Sequence, residues 1–319
     1  MARGCVLNTL REALPEYLRL RRSLGFKLED AGLQLPRFVA FVEAHGGTHI
    51  TTALALAWAQ QSASVQPAEW ARRLGSVRGF ARYRIATDAL TQIPPAGLLP
   101  HRSTRARPYL YSDEEVQRLL DAALQLPTSW HSTPLRRWGF HCLFGLLSTT
   151  GMRISEALNL HVADVDLDQA VLTIRGSKLG NTRLVPLHAS TARVLADYLH
   201  RRQAFFAGPI SPYVFVSRTG NRLDQAHVHR TFYALSRQIG LRGPQASHGP
   251  RIHDLRHRFA VRVLTHWYQA GEDPARLLPV LSAYIGHKRV QDTYWYLSAW
   301  PELMTQAMAR LERRWGAAP

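Results

Sequence analysis

The residues whose types could do chemistry cluster late in the chain, where residues 251–297 read RIHDLRHRFAVRVLTHWYQAGEDPARLLPVLSAYIGHKRVQDTYWYL. Within that stretch stand a His-x-x-Arg pair (His253, Arg256), a Gly-His (Gly286, His287) and two tyrosines, Tyr294 and Tyr296. Residues three apart share a helix face, so His253 and Arg256 can point at one object. An imidazole beside a guanidinium suits a phosphate whose charge changes during a reaction. A tyrosine hydroxyl brought to that phosphate is a possible nucleophile.

The elements that must position these residues begin earlier. In TTGMRISEALNL, Thr150-Gly151 reads as a turn into a helix, with Arg153 in the first turn where the helix end attracts anions. Alone, an arginine there is more often a surface residue. Val171 to Arg175 and Thr182 to Pro186 alternate as strands, and the GSKLGN loop between them makes a β-hairpin with Lys178 at its tip. Alone, a hairpin lysine is usually just solvent-exposed. Ser112 caps the helix SDEEVQRLLDAAL, and Trp138 to Leu147 is apolar enough to be buried. Ser190 to Arg202 should turn Val194, Leu195 and Leu199 inward, and Val228 to Ile239 is a further helix. The last segment spaces Trp300, Leu303, Ala307, Leu311 and Trp315 for one apolar helical face, a stripe that suits a neighbouring protomer.

Upstream, residues 1–90 read as helices: Leu7 to Leu24, one through Leu33, Phe38, Phe41 and Val42, one over Ala53 to Gln61, and one carrying Trp70, Leu74, Val77 and Ala81. Arg78 and Arg82 lie one turn apart beside that last stripe, where each reads as a DNA-backbone contact or as a solvated rim. Residues 91–108 form a linker, broken by Pro94-Pro95 and Pro100 and made basic by Arg105 and Arg107.

The chain of 319 residues can bury two cores, and 46% hydrophobic with 20% charged residues describes a globular protein. No apolar run approaches a membrane span, and acids come too early at the N-terminus for a secretory signal. Cys5 and Cys142 are too far apart and too isolated to suggest a disulfide scaffold or a zinc site. A cytoplasmic protein is expected, nucleoid-associated when on DNA. The net charge of +17 points to nucleic acid, because lysines and arginines displace condensed counterions. Of the 40 basic residues only Lys27, Lys178 and Lys288 are lysine. That matters because lysine can lose a proton and arginine effectively cannot.

Taken in order, TGMRISEALNL, GSKLGNTRLVPL, HDLRH and IGH, with a tyrosine nine residues after His287, resemble the tyrosine recombinase (phage integrase) family over residues 109–297. The resemblance implies roles position by position. Arg153 and Arg256 would clamp the non-bridging oxygens of the scissile phosphate, and His287 would hydrogen-bond them. His253 would take or hold the proton of the nucleophile, Tyr296 would attack phosphorus, and Lys178 would protonate the departing 5′-oxygen. Glu156, on the face of Arg153, would orient the site. Physics agrees, since fixed cations offset the charge that builds on a phosphodiester under attack. No carboxylate cluster, Cys/His set or Walker loop implies a metal or ATP, so no cofactor is expected. The long interval between Arg256 and Gly286, with WYQAGEDPARLLPVLSA in it, and the ending TYWYLSAWPEL are similar to recombinases carried on transposons and other mobile elements.

The expected fold class is mainly α with a small β-hairpin or sheet (α+β). A helical core-binding domain over 1–90 and a linker over 91–108 precede a catalytic domain over 109–299. A C-terminal helix over 300–319 contacts a second protomer. The expected partners are double-stranded DNA carrying inverted-repeat sites, further copies of the chain from dimer to tetramer, and accessory proteins; a C-shaped clamp on the duplex follows from the resemblance. Two rival readings stay open at this point: a type IB topoisomerase-like nicking and closing enzyme, and a DNA-binding protein without catalysis.

Overall fold

The computed structural model describes residues 9–61, 66–99, 108–127, 134–175, 182–206, 208, 210–246, 248–287, 289–299 and 301–316. The chain divides into two compact units, residues 1–106 and 107–319.

Among the described residues the first unit holds four helices, α1 (Leu10–Ser23), α2 (Glu29–Ala44), α3 (Thr52–Gln60) and α4 (Pro67–Arg84). Helix α1 begins at Leu10, and the expected start at Leu7 lies outside the described residues. Thr9 caps it, accepting from the Glu12 N–H while the Glu12 carboxylate accepts from the Thr9 N–H at 2.8 Å. Leu14, Tyr17, Leu35, Phe38, Val42, Trp58, Leu74, Val77 and Phe80 form the core. Leu33 does not join it: the buried face of α2 is Ala31, Leu35, Phe38, Val39 and Val42, which leaves Leu33 69% exposed.

The second unit opens with α5 (Asp113–Leu124), where Ser112 caps the helix as the sequence suggested and the Glu115 carboxylate accepts in return from the Ser112 N–H. Helix α6 (Pro134–Thr150) is the central pillar, buried along Phe140, Leu143, Phe144, Leu146 and Leu147. After the short α7 (Ile154–Leu158) comes an antiparallel sheet of β1 (Val165–Asp166), β2 (Val171–Ile174) and β3 (Arg183–Pro186) in that order, with Leu172 paired to both Val165 and Val185. Strand β1 is an addition to the expected hairpin. It pairs over only two residues, too few for an alternating pattern to show.

Helices α8 (Ala189–Phe205) and α9 (Gln225–Gln238) flank the pillar. In α8 the inward face is Ala192, Leu195, Tyr198 and Arg202, so Val194 turns out, 40% exposed, against expectation. The long interval before Gly286 is two helices, α10 (Ile252–Gln269) continued past the site and α11 (Pro274–Ile285), capped by Asp273 with Pro274 at its first position. Leu278, Leu281 and Ile285 of α11 pack on Ala260, Val261 and Leu264 of α10. Helices α12 (Gln291–Ala299) and α13 (Pro301–Gly316) close the unit. Leu303 of α13 lies in that same cluster, and Arg310 reaches the Glu272 carbonyl, so α13 packs on its own chain along this edge. Met304, Met308 and Trp315 remain exposed on it, while the side chains of Trp300 and Leu311 lie outside the described residues.

Candidate active site

Helix α10 supplies the floor of the site. Its N-terminus is fixed by Asp254, whose carboxylate accepts from the Arg251 N–H at 2.9 Å. One turn on, Arg256 is buried, and its Nη1 donates to the Gly151 carbonyl at 2.8 Å. Gly151 has φ +61, and a Cβ there would meet the Phe259 ring at 2.4 Å, so only glycine lets that carbonyl approach the arginine. Nη2 of Arg256 is buried with no hydrogen-bond partner among the described residues. Burial, and then the Arg153 charge, push the Arg256 guanidinium down to about 10, while the Tyr296 hydroxyl and Glu156 act the other way. The same charges reach His253. Protein packed about its ring, and then Arg256, lower it to about 4, although its outer face is exposed.

Arg153 is the residue before α7 rather than part of its first turn. What holds it is a carboxylate, since α7 is only five residues long. The Arg153 N–H donates to Glu156 Oε2 at 2.9 Å and Nη1 to Oε1 at 2.8 Å, while Nη2 donates to the Gly286 carbonyl at 2.9 Å. Glu156 is buried and shared with a second cation: Arg183, on β3, donates to both its oxygens, at 3.0 and 2.8 Å. Nε of Arg183 donates to the Tyr284 carbonyl at 2.7 Å. Burial raises the Glu156 carboxyl, but the Arg183 hydrogen bonds and charge and the Arg153 N–H outweigh it and hold the group below the usual carboxylate range. Removing one partner of such a buried pair costs about 3–5 kcal/mol, because the remaining charge is left uncompensated.

The third wall is the turn after α11. Gly286 ends the helix at φ +70, and a Cβ would lie 2.9 Å from Arg183 Nη1, so conformation and space both require glycine. The turn presents His287, whose Nδ1 lies 2.8 Å from Thr293 Oγ1. On α12, Tyr296 is fully buried, its ring parallel to His287 with centroids 6.2 Å apart. Its hydroxyl lies 3.0 Å from Nδ1 of His257. Tyr294 is 48% exposed, as expected of residues about 200° apart on one helix.

Arg153, Glu156, His253, Arg256, His287 and Tyr296 therefore come together from the start of α7, from α10, from the turn after α11 and from α12. Lys178, Arg105 and Arg107 lie outside the described residues. In the first unit Arg82 is exposed, while Arg78, read as a DNA-backbone contact or a solvated rim, is engaged within its own unit. Its Nε and Nη2 donate to the Pro94 and Pro95 carbonyls at 2.7 and 2.8 Å, fastening the segment after α4.

Residues 110–302 match the phage integrase family. The chain belongs to that family. It is 61% identical over 310 residues to the protein bearing the name integrase/recombinase y4rB of Sinorhizobium fredii, covering 97% of this chain and 99% of that one. It is 28% identical over 242 residues to tyrosine recombinase XerD of Bifidobacterium longum, covering 74% and 73%. Among solved structures the fold matches the Tn1549 transposon integrase with a TM-score of 0.65 at 17% identity, over 96% of this chain and 99% of that one. The XerH recombinase matches with 0.64 at 19% identity, over 95% and 85%. This phage integrase family member is a tyrosine-type site-specific DNA recombinase.

Three site residues escaped the sequence reading. Arg183 is one of 37 arginines, and its partners Glu156 and Tyr284 are 27 and 101 residues away. Thr293 has no chemistry of its own. His257 could have been found, since it lies four residues after His253 and so on the same face of α10.

Proposed function

We propose that this recombinase cleaves and rejoins duplex DNA through a 3′-phosphotyrosyl link at Tyr296. The tyrosine oxygen forms a bond to phosphorus as the bond from phosphorus to the 5′-oxygen breaks. The tyrosine proton goes to His253, and Lys178 supplies one to the departing 5′-oxygen. Arg153 and Arg256 hold the non-bridging oxygens, with His287 donating beside them. Rejoining reverses these steps on a new 5′-hydroxyl, and since the broken bond's energy stays in the covalent link, no cofactor is needed.

The observation that carries this reading is Nη2 of Arg256. A guanidinium nitrogen buried without an acceptor is disfavoured unless a partner arrives with substrate. Arg153, His253 and Tyr296 all act on the same place, which suits an anionic oxygen. Tyr296, covered by the α10–α11 cluster, reaches phosphorus only when α12 shifts; until then His257 holds its hydroxyl.

The substrate we assign is double-stranded DNA with inverted-repeat sites, acted on by two to four protomers with accessory proteins. In support, the structures of similar fold are named as complexes with DNA: the Tn1549 integrase with a transposon right end, XerH with a palindromic site, and a lambda integrase dimer on a core site. The transposon integrase favours a mobile element as carrier and the bacterial cytoplasm, on the nucleoid, as the place of action. The exposed Met304, Met308 and Trp315 of α13 suit a contact with a second protomer. In the test, full-length protein is mixed with nicked suicide duplexes cut from the DNA that flanks its gene. Wild type should become covalently attached. Arg256→Met should bind the same duplexes without attachment, and should unfold at higher temperature because a buried charge is gone. Covalent attachment by Arg256→Met at the wild-type rate would overturn the reading.

A further inference from the structure

Arg183 has no part in the roles described so far, yet its guanidinium is the most fully engaged in the site. All three of its nitrogens donate: Nε to the Tyr284 carbonyl, and Nη1 and Nη2 to the two oxygens of Glu156. Those two acceptors sit on different segments, the last turn of α11 and the helix that follows Arg153. Glu156 passes the constraint on, because its Oε1 also accepts from Arg153 Nη1 and its Oε2 from the Arg153 N–H. Arg153 in turn donates to the carbonyl of Gly286, the residue before His287. The guanidinium also lies flat against Gly286, close enough that any Cβ there would collide with it.

We propose that Arg183 is a positioning residue for strand cleavage, acting through Glu156 to fix Arg153 and through the Tyr284 and Gly286 backbone to fix the turn that presents His287. The planar fork is what the task requires. It bridges both carboxylate oxygens while a third N–H points elsewhere, which a lysine ammonium on a flexible stem cannot do with defined geometry. A carboxylate fixed on both sides leaves Arg153 one orientation, so its remaining donor capacity is aimed before substrate arrives. This inference rests on the reading of Arg153 as a clamp on the scissile phosphate.

The test compares wild type, Arg153→Ala, Arg183→Gln, Arg183→Lys and the Arg153→Ala/Arg183→Gln double variant, all as full-length protein. Single-turnover cleavage is measured on a suicide duplex with an ordinary scissile phosphate, and on one where a methyl group replaces a non-bridging oxygen and makes the phosphorus centre neutral. Duplex affinity and thermal unfolding are measured alongside. Arg183→Gln should cleave the ordinary duplex roughly 10- to 100-fold more slowly, the scale typical of losing a group that orients a first contact. Duplex affinity should stay within about threefold, since Arg183 touches no substrate in this account. The double variant should be no slower than Arg153→Ala, because both changes remove one function. On the neutral duplex, where a cation on the oxygens matters little, the deficits of Arg153→Ala and Arg183→Gln should shrink together. Arg183→Lys keeps a charge beside Glu156 and should show the same pattern with a smaller loss, which keeps the test valid if Arg183→Gln fails to fold.

If Arg153→Ala is rescued by the neutral duplex and the Arg183 variants are not, the proposal fails and the reading of Arg153 stands. If the losses multiply in the double variant, Arg183 acts independently of Arg153 and the proposal fails likewise. If Arg153→Ala gains nothing on the neutral duplex, the phosphate clamp itself is wrong, and the proposal falls with it.

Discussion

The hydroxyl of Tyr296 lies 3.0 Å from Nδ1 of His257, inside the packing of α10 against α12 where solvent does not reach. The residue read as nucleophile is therefore held by a histidine other than the His253 of the His-x-x-Arg pair. His257 also stacks edge-on to Trp295, so the two helices are tied at adjacent positions of α12. A direct contact of this kind should appear as coupling. Tyr296→Phe and His257→Phe, singly and together, should show an interaction of about 0.5–1.5 kcal/mol in denaturant unfolding. Effects that add within about 0.3 kcal/mol would mean the contact does not stabilise the resting protein.

His253 makes a pH signature. Its pKa is near 4 when folded, against an ordinary value of 6.5. Between those values the unfolded chain binds a proton that the folded protein refuses, so this group makes stability rise with pH from about 4 to 6.5 and contributes no slope above. His253→Gln should flatten that rise in denaturation midpoints measured at pH 4.5, 5.5, 6.5 and 7.5. It should leave the pH 7.5 value nearly unchanged. An equal slope in wild type and variant would contradict the depressed value.

The landmarks legible in the sequence were those whose chemistry does not depend on neighbours. A glycine before an arginine, a His-x-x-Arg spacing and a tyrosine at fixed distance from a Gly-His can be read from one strand of text. The structure brings Arg153, Glu156, His253, Arg256, His287 and Tyr296 to one place. Arg183 was not legible because an arginine declares nothing until its carboxylate is located, and Glu156 lies on another element. Faces of helices were read less well. Leu33 and Val194 fit an apolar spacing but sit off the buried stripe, Leu33 two positions from Ala31 and Leu35 and Val194 one from Leu195, and only packing against α4 and α6 decides which side of a mixed helix turns in. Arg78 shows a similar limit: its donors went to proline carbonyls sixteen and seventeen residues on.

Lys178 is assigned the general acid because lysine can donate a proton where arginine, with a pKa above about 12, cannot. Replacing the bridging 5′-oxygen with sulfur removes the need for that proton. Lys178→Ala should be slower by roughly 10²–10⁴-fold on ordinary DNA and largely restored on the sulfur duplex. Arg153→Ala should stay slow on both. An equal defect of Lys178→Ala on the two duplexes would reduce the lysine to a DNA contact.

The central claim is that Tyr296 becomes joined to the 3′-phosphate. Wild type, Tyr294→Phe and Tyr296→Phe are each incubated with a nicked suicide duplex, any covalent complex is digested, and the nucleotide-bearing peptide is sequenced by mass spectrometry. Wild type and Tyr294→Phe should carry the nucleotide on Tyr296, and Tyr296→Phe should give no covalent complex. A nucleotide on Tyr294, or attachment that survives Tyr296→Phe, would contradict the account.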